Sequence, residues 1–162
     1  MNKDVTGWLW VAGQAVLLIA LIVLPGGDAW PKPAILLLIA GALFFGGLAF
    51  IAVAALRLGT ALTPTPVPTS YGQLKTTGLY RYVRHPIYTG VLITIAGITL
   101  RSGTWFHVVI ALATLVFFDR KAAWEEQRLA EHYPDYPSYA ARTPKFIWWP
   151  GRNRSTQSVE AG

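Results

Sequence analysis

The sequence contains no cysteine, which excludes disulfides, thiolate metal sites and a cysteine nucleophile. Charge is scarce as well: 14% of the 162 residues are Asp, Glu, Lys or Arg, against about a quarter in soluble domains. The three histidines, His85, His107 and His132, lie far apart. With no H-E-x-x-H spacing among them, metal catalysis finds no ligand set. A G-x-S-x-G turn is missing, which argues against a serine hydrolase. Glycine-rich phosphate motifs are missing too, because Gly41 to Gly47 falls inside an apolar run and reads as helix packing. A chain of this length allows one domain or one compact membrane bundle.

What the chain has in quantity is apolar surface. Hydrophobic residues make up 53%, with seven Trp and a mean hydropathy of +0.39. Trp8 to Leu24 and Ala34 to Leu56 carry no charge, and each is long enough to cross a hydrocarbon core of ~30 Å. The first ends in Leu24-Pro25-Gly26-Gly27-Asp28 without a small-x-small cleavage pattern, so both are read as retained helices. Two shorter apolar stretches follow, Ile87 to Leu100 and Thr104 to Phe118, parted by Arg101-Ser102-Gly103. They predict a helical hairpin that spans the bilayer. The alternative is a re-entrant or soluble hairpin.

Basic residues set the orientation. With four spans and a cytoplasmic N-terminus, twelve of the fourteen Lys and Arg fall inside, and only Lys32 and Arg101 fall outside. That is a strong positive-inside bias. The net charge of +6 is therefore assigned to orientation and anionic headgroups. Nucleic acid is not an expected partner, since no basic-aromatic binding face is present.

The expected fold is all-α and integral to the membrane. About four transmembrane helices, two long and then a short hairpin, precede a cytoplasmic C-terminal helix and a C-terminal segment, which the resemblance given below makes the cap of a cofactor. Residues 1–56 hold the two long helices. Residues 57–150 hold the connector, the hairpin and the C-terminal segment, and 151–162 form a disordered tail. Thr63-Pro64-Thr65-Pro66-Val67-Pro68 reads as a stiff linker. Asp119 to His132 is rich in helix formers and continues the fourth helix until Pro134 and Pro137 stop it. His107, beside Trp105 and Phe106, reads as an interfacial anchor.

Two polar features point to chemistry. In Arg84-His85-Pro86-Ile87-Tyr88-Thr89-Gly90, Pro86 suits the first position of a helix. Arg84 and His85 then stand at a helix N-terminus, where free N–H groups and the dipole suit an anionic group. The bland reading is a headgroup anchor. Gly90 and Gly97 lie on nearly one face, and Gly97 reads as packing, while Gly90 serves packing or a flat ligand. Glu125-Glu126 is the second feature. One acid is expected to face solvent or Arg128 and the other to face inward toward His85, where a buried carboxylate needs a cationic or hydroxylated partner. A solvated helix face is the competing reading.

Taken in order, Arg84-His85-Pro86-Ile87-Tyr88-Thr89-Gly90, a hairpin, Glu125-Glu126, Leu129, and a stretch from Tyr133 to Tyr139 resemble the C-terminal signature of the isoprenylcysteine carboxyl methyltransferase family. Phospholipid N-methyltransferases share much of that pattern. The resemblance covers Leu74 to Pro150. It implies S-adenosylmethionine as cofactor, with Arg84, His85, Pro86, Tyr88 and Gly90 lining its pocket and Glu125 and Glu126 holding its amino or ribose groups. It also implies that Arg142 orients the acceptor beside Tyr139, with His85 a helper if the acceptor is an amine. The reaction implied is methyl transfer to a lipophilic acceptor, most simply a carboxylate, by a multi-pass protein with both termini cytoplasmic. Ala130 to Asp135 departs from the family's Phe-Gly pair, so a changed turn is expected there. A phospholipid N-methyltransferase is the alternative. A nicotinamide-dependent sterol-type reductase and a non-catalytic lipid-binding protein are the remaining ones. Gly41, Gly46 and Gly47 offer a surface for a homodimer.

Overall fold

The computed structural model describes residues 3–59 and 74–147. The proline-rich stretch 63–68 and the tail from residue 151 lie outside the described residues. Among those residues the chain is all-helical, without a strand. The elements are α1 (Lys3–Val23), α2 (Ala34–Leu58), a 3₁₀ turn (Gly78–Arg81), α3 (Pro86–Ser102), α4 (Trp105–His132) and α5 (Tyr136–Arg142).

Helix ends follow local chemistry. Pro33 caps α2, Pro86 opens α3, and Gly103 ends α3 at a left-handed φ of 67° that only glycine adopts without strain. The hairpin helices are longer than their apolar stretches. Arg101 and Ser102 join the last turn of α3, and its 17 residues reach ~26 Å at 1.5 Å per residue. Helix α4 runs unbroken for 28 residues, so its apolar half and its charged continuation are one rod, as its composition predicted.

Helix α3 is central and presents no large exposed apolar side chain, unlike α1, α2 and α4. Small residues let it press antiparallel against α2. A Cβ on Gly97 would stand 2.5 Å from the Ala40 carbonyl oxygen and 2.7 Å from the Phe44 nitrogen. Gly47 meets Thr94 from the other side and is thus spent inside the bundle, leaving Gly41 and Gly46 facing open space. Trp10 of α1 packs edge-on to Phe117 of α4 at 5.1 Å.

The two hairpin turns are clasped together. Gly27 N donates to Ser102 O at 2.8 Å, Ala29 N to Gly103 O at 2.8 Å, and Trp30 Nε1 to Leu100 O at 3.0 Å. Both turns therefore lie at one end of the bundle. His107 is buried there, with Nδ1 2.6 Å from Thr104 Oγ1. This corrects the anchor reading: Trp105 and Phe106 face outward, and the helical turn carries His107 to the opposite, inward face.

Val5–Val23 and Ala34–Leu58 are long and apolar enough to cross a membrane, yet only 11% of each is buried. A core helix of a soluble protein would be covered. Ile22, Leu38, Phe45 and Leu56 are each at least 69% exposed, an arrangement that suits apolar surroundings.

Candidate functional site

At the end opposite the clasped turns, the chain gathers its charged side chains around the start of α3. His85 caps that helix and Pro86 occupies its first turn, where a missing N–H costs nothing. The charged continuation of α4 passes close by His85 and Tyr88, and it delivers Lys121, Glu125 and Glu126 to the same place.

Glu126 Oε1 accepts from Arg84 Nε at 3.0 Å and pairs with His85 Nε2 at 3.0 Å. A carboxylate only accepts, so Nε2 is the nitrogen that carries the proton. Glu125 Oε2 lies 3.6 Å from His85 Nδ1, too long for a hydrogen bond but close enough for charge to act. The Tyr88 hydroxyl donates to Glu125 Oε1. His85 thus stands between two carboxylates, one at each ring nitrogen. Adjacent residues on a helix project ~100° apart, and an imidazole with nitrogens on both sides fills that arc. The expectation that one acid would face solvent or Arg128 is corrected accordingly. Arg128 instead lies 3.3 Å over the Trp124 ring.

An aromatic pile backs the charges. His85 stacks on Tyr88 with centroids 5.4 Å apart, and Tyr88 stacks on Phe118 at 4.7 Å. Lys121 Nζ lies 5.1 Å from the Tyr88 ring centroid and donates to Gln14 Oε1 of α1 at 2.7 Å.

The segment after α5 closes one side. Arg84 N donates to Pro144 O at 2.9 Å and His85 N to Lys145 O at 3.2 Å. Phe146 is buried with Leu92, Phe118 and Ala122, and Lys145 Nζ pairs with Asp119 Oδ1 at 2.8 Å. Arg84 Nη1 also donates to Ala140 O and Thr143 O, both at 2.6 Å. It therefore satisfies the carbonyls that the C-terminus of α5 leaves open.

Burial works against ionised groups here, and neighbours decide the outcome. For Glu125 burial dominates, so its carboxyl is pushed up although His85, Tyr88 and Lys121 oppose the shift. Burial also raises Glu126, but the hydrogen bond and charge of His85, with Arg84, outweigh it and hold the carboxyl below its ordinary value. Burial lowers the Lys121 ammonium, with Glu125 acting in the other direction. Burial pushes the Tyr80 and Tyr139 phenols up to about 12, so both stay protonated.

Of the residues singled out from sequence, Arg84, His85, Tyr88, Glu125 and Glu126 come together, with Pro86 buried beneath them. Gly90 lies on the far face of α3, where a Cβ would stand 2.7 Å from Ile51 Cγ1 and 3.0 Å from Gly47 O. It serves helix packing. Tyr139 is buried and its hydroxyl donates to Tyr80 O at 2.6 Å, which fastens α5 to the 3₁₀ turn. Arg142 is exposed, and its Nε donates to Ser138 O of its own helix at 3.1 Å. Lys121 and Gln14 were missed, and Tyr136 was seen only as part of the stretch from Tyr133 to Tyr139, without a role. Lys121 was legible as the residue four before Glu125, on the same helical face.

A pair of carboxylates, a stacked tyrosine and a buried phenol at Tyr136 that has no partner among the described residues suit a cationic ligand with hydroxyl or amine groups better than an anion. Among the described residues, no group of three or more His, Asp or Glu side chains is placed to hold a metal ion.

Comparison with known proteins gives one family model, described as phospholipid methyltransferase, that matches residues 35–136. The matched stretch includes α3, the carboxylate pair and Tyr136, and stops short of Tyr139 and Arg142. The nickel-cobalt-cadmium resistance protein NccN of Alcaligenes xylosoxydans xylosoxydans is 29% identical over 141 residues, covering 86% of this chain and 62% of the relative. The cobalt-zinc-cadmium resistance protein CzcN of Cupriavidus metallidurans is 34% identical over 75 residues, covering 46% of this chain and 35% of the relative. The chain thus spans less than two thirds of either relative's length.

Proposed function

Because the chain belongs to the phospholipid methyltransferase family, a family of methyltransferases, we propose that it moves a methyl group from S-adenosylmethionine to a lipophilic acceptor at the membrane. One observation carries this reading: Glu125 and Glu126 both converge on His85, Arg84 and Tyr88 at the start of α3. Buried carboxylates are costly unless they meet positive charge, and the cofactor is a cation.

When bound, S-adenosylmethionine supplies an activated methyl group on a sulfonium. The chain's own residues then have to bind, align and keep out water. Glu126, fixed by Arg84 and His85, is the positioned carboxylate for the amino or ribose end. Glu125, held by Tyr88, adds a second acceptor, and the Tyr88 face offers a cation–π surface. The segment 143–146 covers His85 from the side of α5 and restricts solvent there. Gly90 contributes by letting α3 approach α2, which sets where His85 stands.

The acceptor in this reading is a carboxylate, because esterifying it requires no base. The site's candidate base, His85, is held at Nε2 by Glu126. Arg142, at the exposed end of α5, would orient the anionic acceptor, with Tyr139 fixing that helix. A phospholipid amine is the alternative acceptor, and it would have to lose a proton first. The relatives' link to metal resistance fits the carboxylate reading: a methyl ester removes a negative charge from the membrane surface and so weakens its attraction for divalent cations. We place the hairpin α3–α4 across the bilayer as the third and fourth spans, with both termini and the site on the cytoplasmic side.

The test is transfer of tritiated methyl from S-adenosylmethionine by the purified protein in the presence of a lipid extract. Label that moves into the lipid phase and is released as methanol by mild alkali is expected. Alkali-stable lipid label would move the acceptor to an amine, and absence of transfer to any lipid would overturn the reading.

A further inference from the structure

Tyr136 is 3% exposed, and its hydroxyl has no hydrogen-bond partner among the described residues. Buried polar groups are nearly always paired, so such a phenol calls for an explanation. Its neighbours' hydroxyls are spent: Tyr88 donates to Glu125, and Tyr139 donates to Tyr80 O. Among the described residues two other buried polar atoms lack partners, Thr99 Oγ1 and Arg128 Nε. Thr99 stands toward the clasped turns, and the Arg128 guanidinium lies over the Trp124 ring. Among the described residues, Tyr136 is the one unpartnered hydroxyl beside the carboxylates.

Its placement follows from α5. Tyr136 and Ala140 are four residues apart and share one helical face, and Ala140 O is the atom that Arg84 grips. Arg84 and Glu126 lie near enough to the Tyr136 phenol that their charges, with that of Glu125, act on it. Among the described residues both contacts of Glu126 fall on Oε1, so Oε2 is open to another partner there. An incoming carboxylate would be repelled by the two acids. An ammonium brings three N–H donors and is attracted.

We propose that the Tyr136 hydroxyl oxygen is a ligand contact that, together with Glu126, accepts from the α-ammonium of the cofactor's amino-acid end. The inference rests on the S-adenosylmethionine reading above. It makes Tyr136 a binding residue kept unsatisfied in the ligand-free protein, where a phenylalanine of the same shape would be no worse.

The test uses the full chain in detergent, as wild type and as Tyr136→Phe. Calorimetric binding is measured for S-adenosylhomocysteine, decarboxylated S-adenosylmethionine and methylthioadenosine, and the ligand-free melting temperature is recorded. The first two ligands carry the amine, the second lacks the carboxylate, and the third lacks the whole amino-acid end. The variant is expected to bind the two amine-bearing ligands about tenfold more weakly. Methylthioadenosine affinity is expected to stay unchanged, and the melting temperature to stay equal or rise. Equal weakening of all three ligands, or a lower melting temperature, would make the hydroxyl structural and overturn the inference. Weakening of S-adenosylhomocysteine alone would assign the contact to the carboxylate and also overturn it. Unchanged binding of all three would do the same. Failure of the wild type to bind any of them would bring down the cofactor reading itself, and this inference with it.

Discussion

Glu125 and Glu126 are neighbours in sequence, share one histidine, and are driven in opposite directions by their surroundings. Glu125 is pushed up, first by burial, so the folded chain holds its proton more tightly than the unfolded chain does. Its contribution to stability is complete below the ordinary carboxyl value of 4.5 and is lost as pH rises through the raised value. Glu126 is held low, so its contribution is present above 4.5 and is lost as pH falls through the lowered value. Melting of the ligand-free protein between pH 4 and pH 8 should therefore show a decline on the alkaline side that Glu125→Gln removes. An unchanged decline in the variant would assign it to another group. The sequence made the acid pair conspicuous but not its orientation. Which way α4 rolls is set by Phe118 and Ala122 packing into the core with Leu92 and Phe146, contacts distant in sequence. The role of Tyr136, visible only as part of a tyrosine-rich stretch, stayed hidden for a related reason: only α5 docking on Arg84 reveals a hydroxyl that lacks a partner among the described residues.

At the scale of helices, α2 and α3 are held together by shape. Gly97→Ala would drive a methyl against the Ala40 backbone oxygen, 2.5 Å away. Backbone cannot rotate aside, so a loss of about 1–3 kcal/mol is expected, read as a melting temperature several degrees lower. Gly46→Ala meets nothing within 4 Å. It should be neutral or gain up to about 1 kcal/mol from helix propensity. Equal effects of the two substitutions would contradict this packing. Most elements were legible from apolar runs and breakers: Pro86 opens α3, and α4 carries on to His132 before Pro134. The exact length of α3 was not, since Arg101 looked like a turn residue until the Gly103 cap and the clasp with Gly27 were seen. His107 was misread because its neighbours Trp105 and Phe106 face outward while the helical turn takes it inward.

For the whole molecule, the clasp between the two hairpin turns makes topology testable with few labels. The absence of native cysteine leaves single introduced cysteines unambiguous. Asp28→Cys and Arg101→Cys, both at exposed positions near the clasp, should react with an impermeant thiol reagent from the outer side. Ser138→Cys, exposed on α5, should react only from the inner side. Labelling of Arg101→Cys and Ser138→Cys from the same side would mean that α3 and α4 do not cross. The basic-residue bias, the uncovered apolar faces of α1 and α2, and the site at the end away from the clasp all support the proposed layout, in which the charged cluster lies at the cytoplasmic membrane edge. The central claim is that this cluster holds an adenosyl cofactor. It is tested most directly by calorimetric binding of S-adenosylmethionine, S-adenosylhomocysteine and NADPH to the detergent-purified chain, with Glu126→Ala alongside. Binding of both adenosyl ligands, weakened at least tenfold in the variant, with none of NADPH, is the result expected. NADPH binding alone, or adenosyl affinity untouched by Glu126→Ala, would contradict the account.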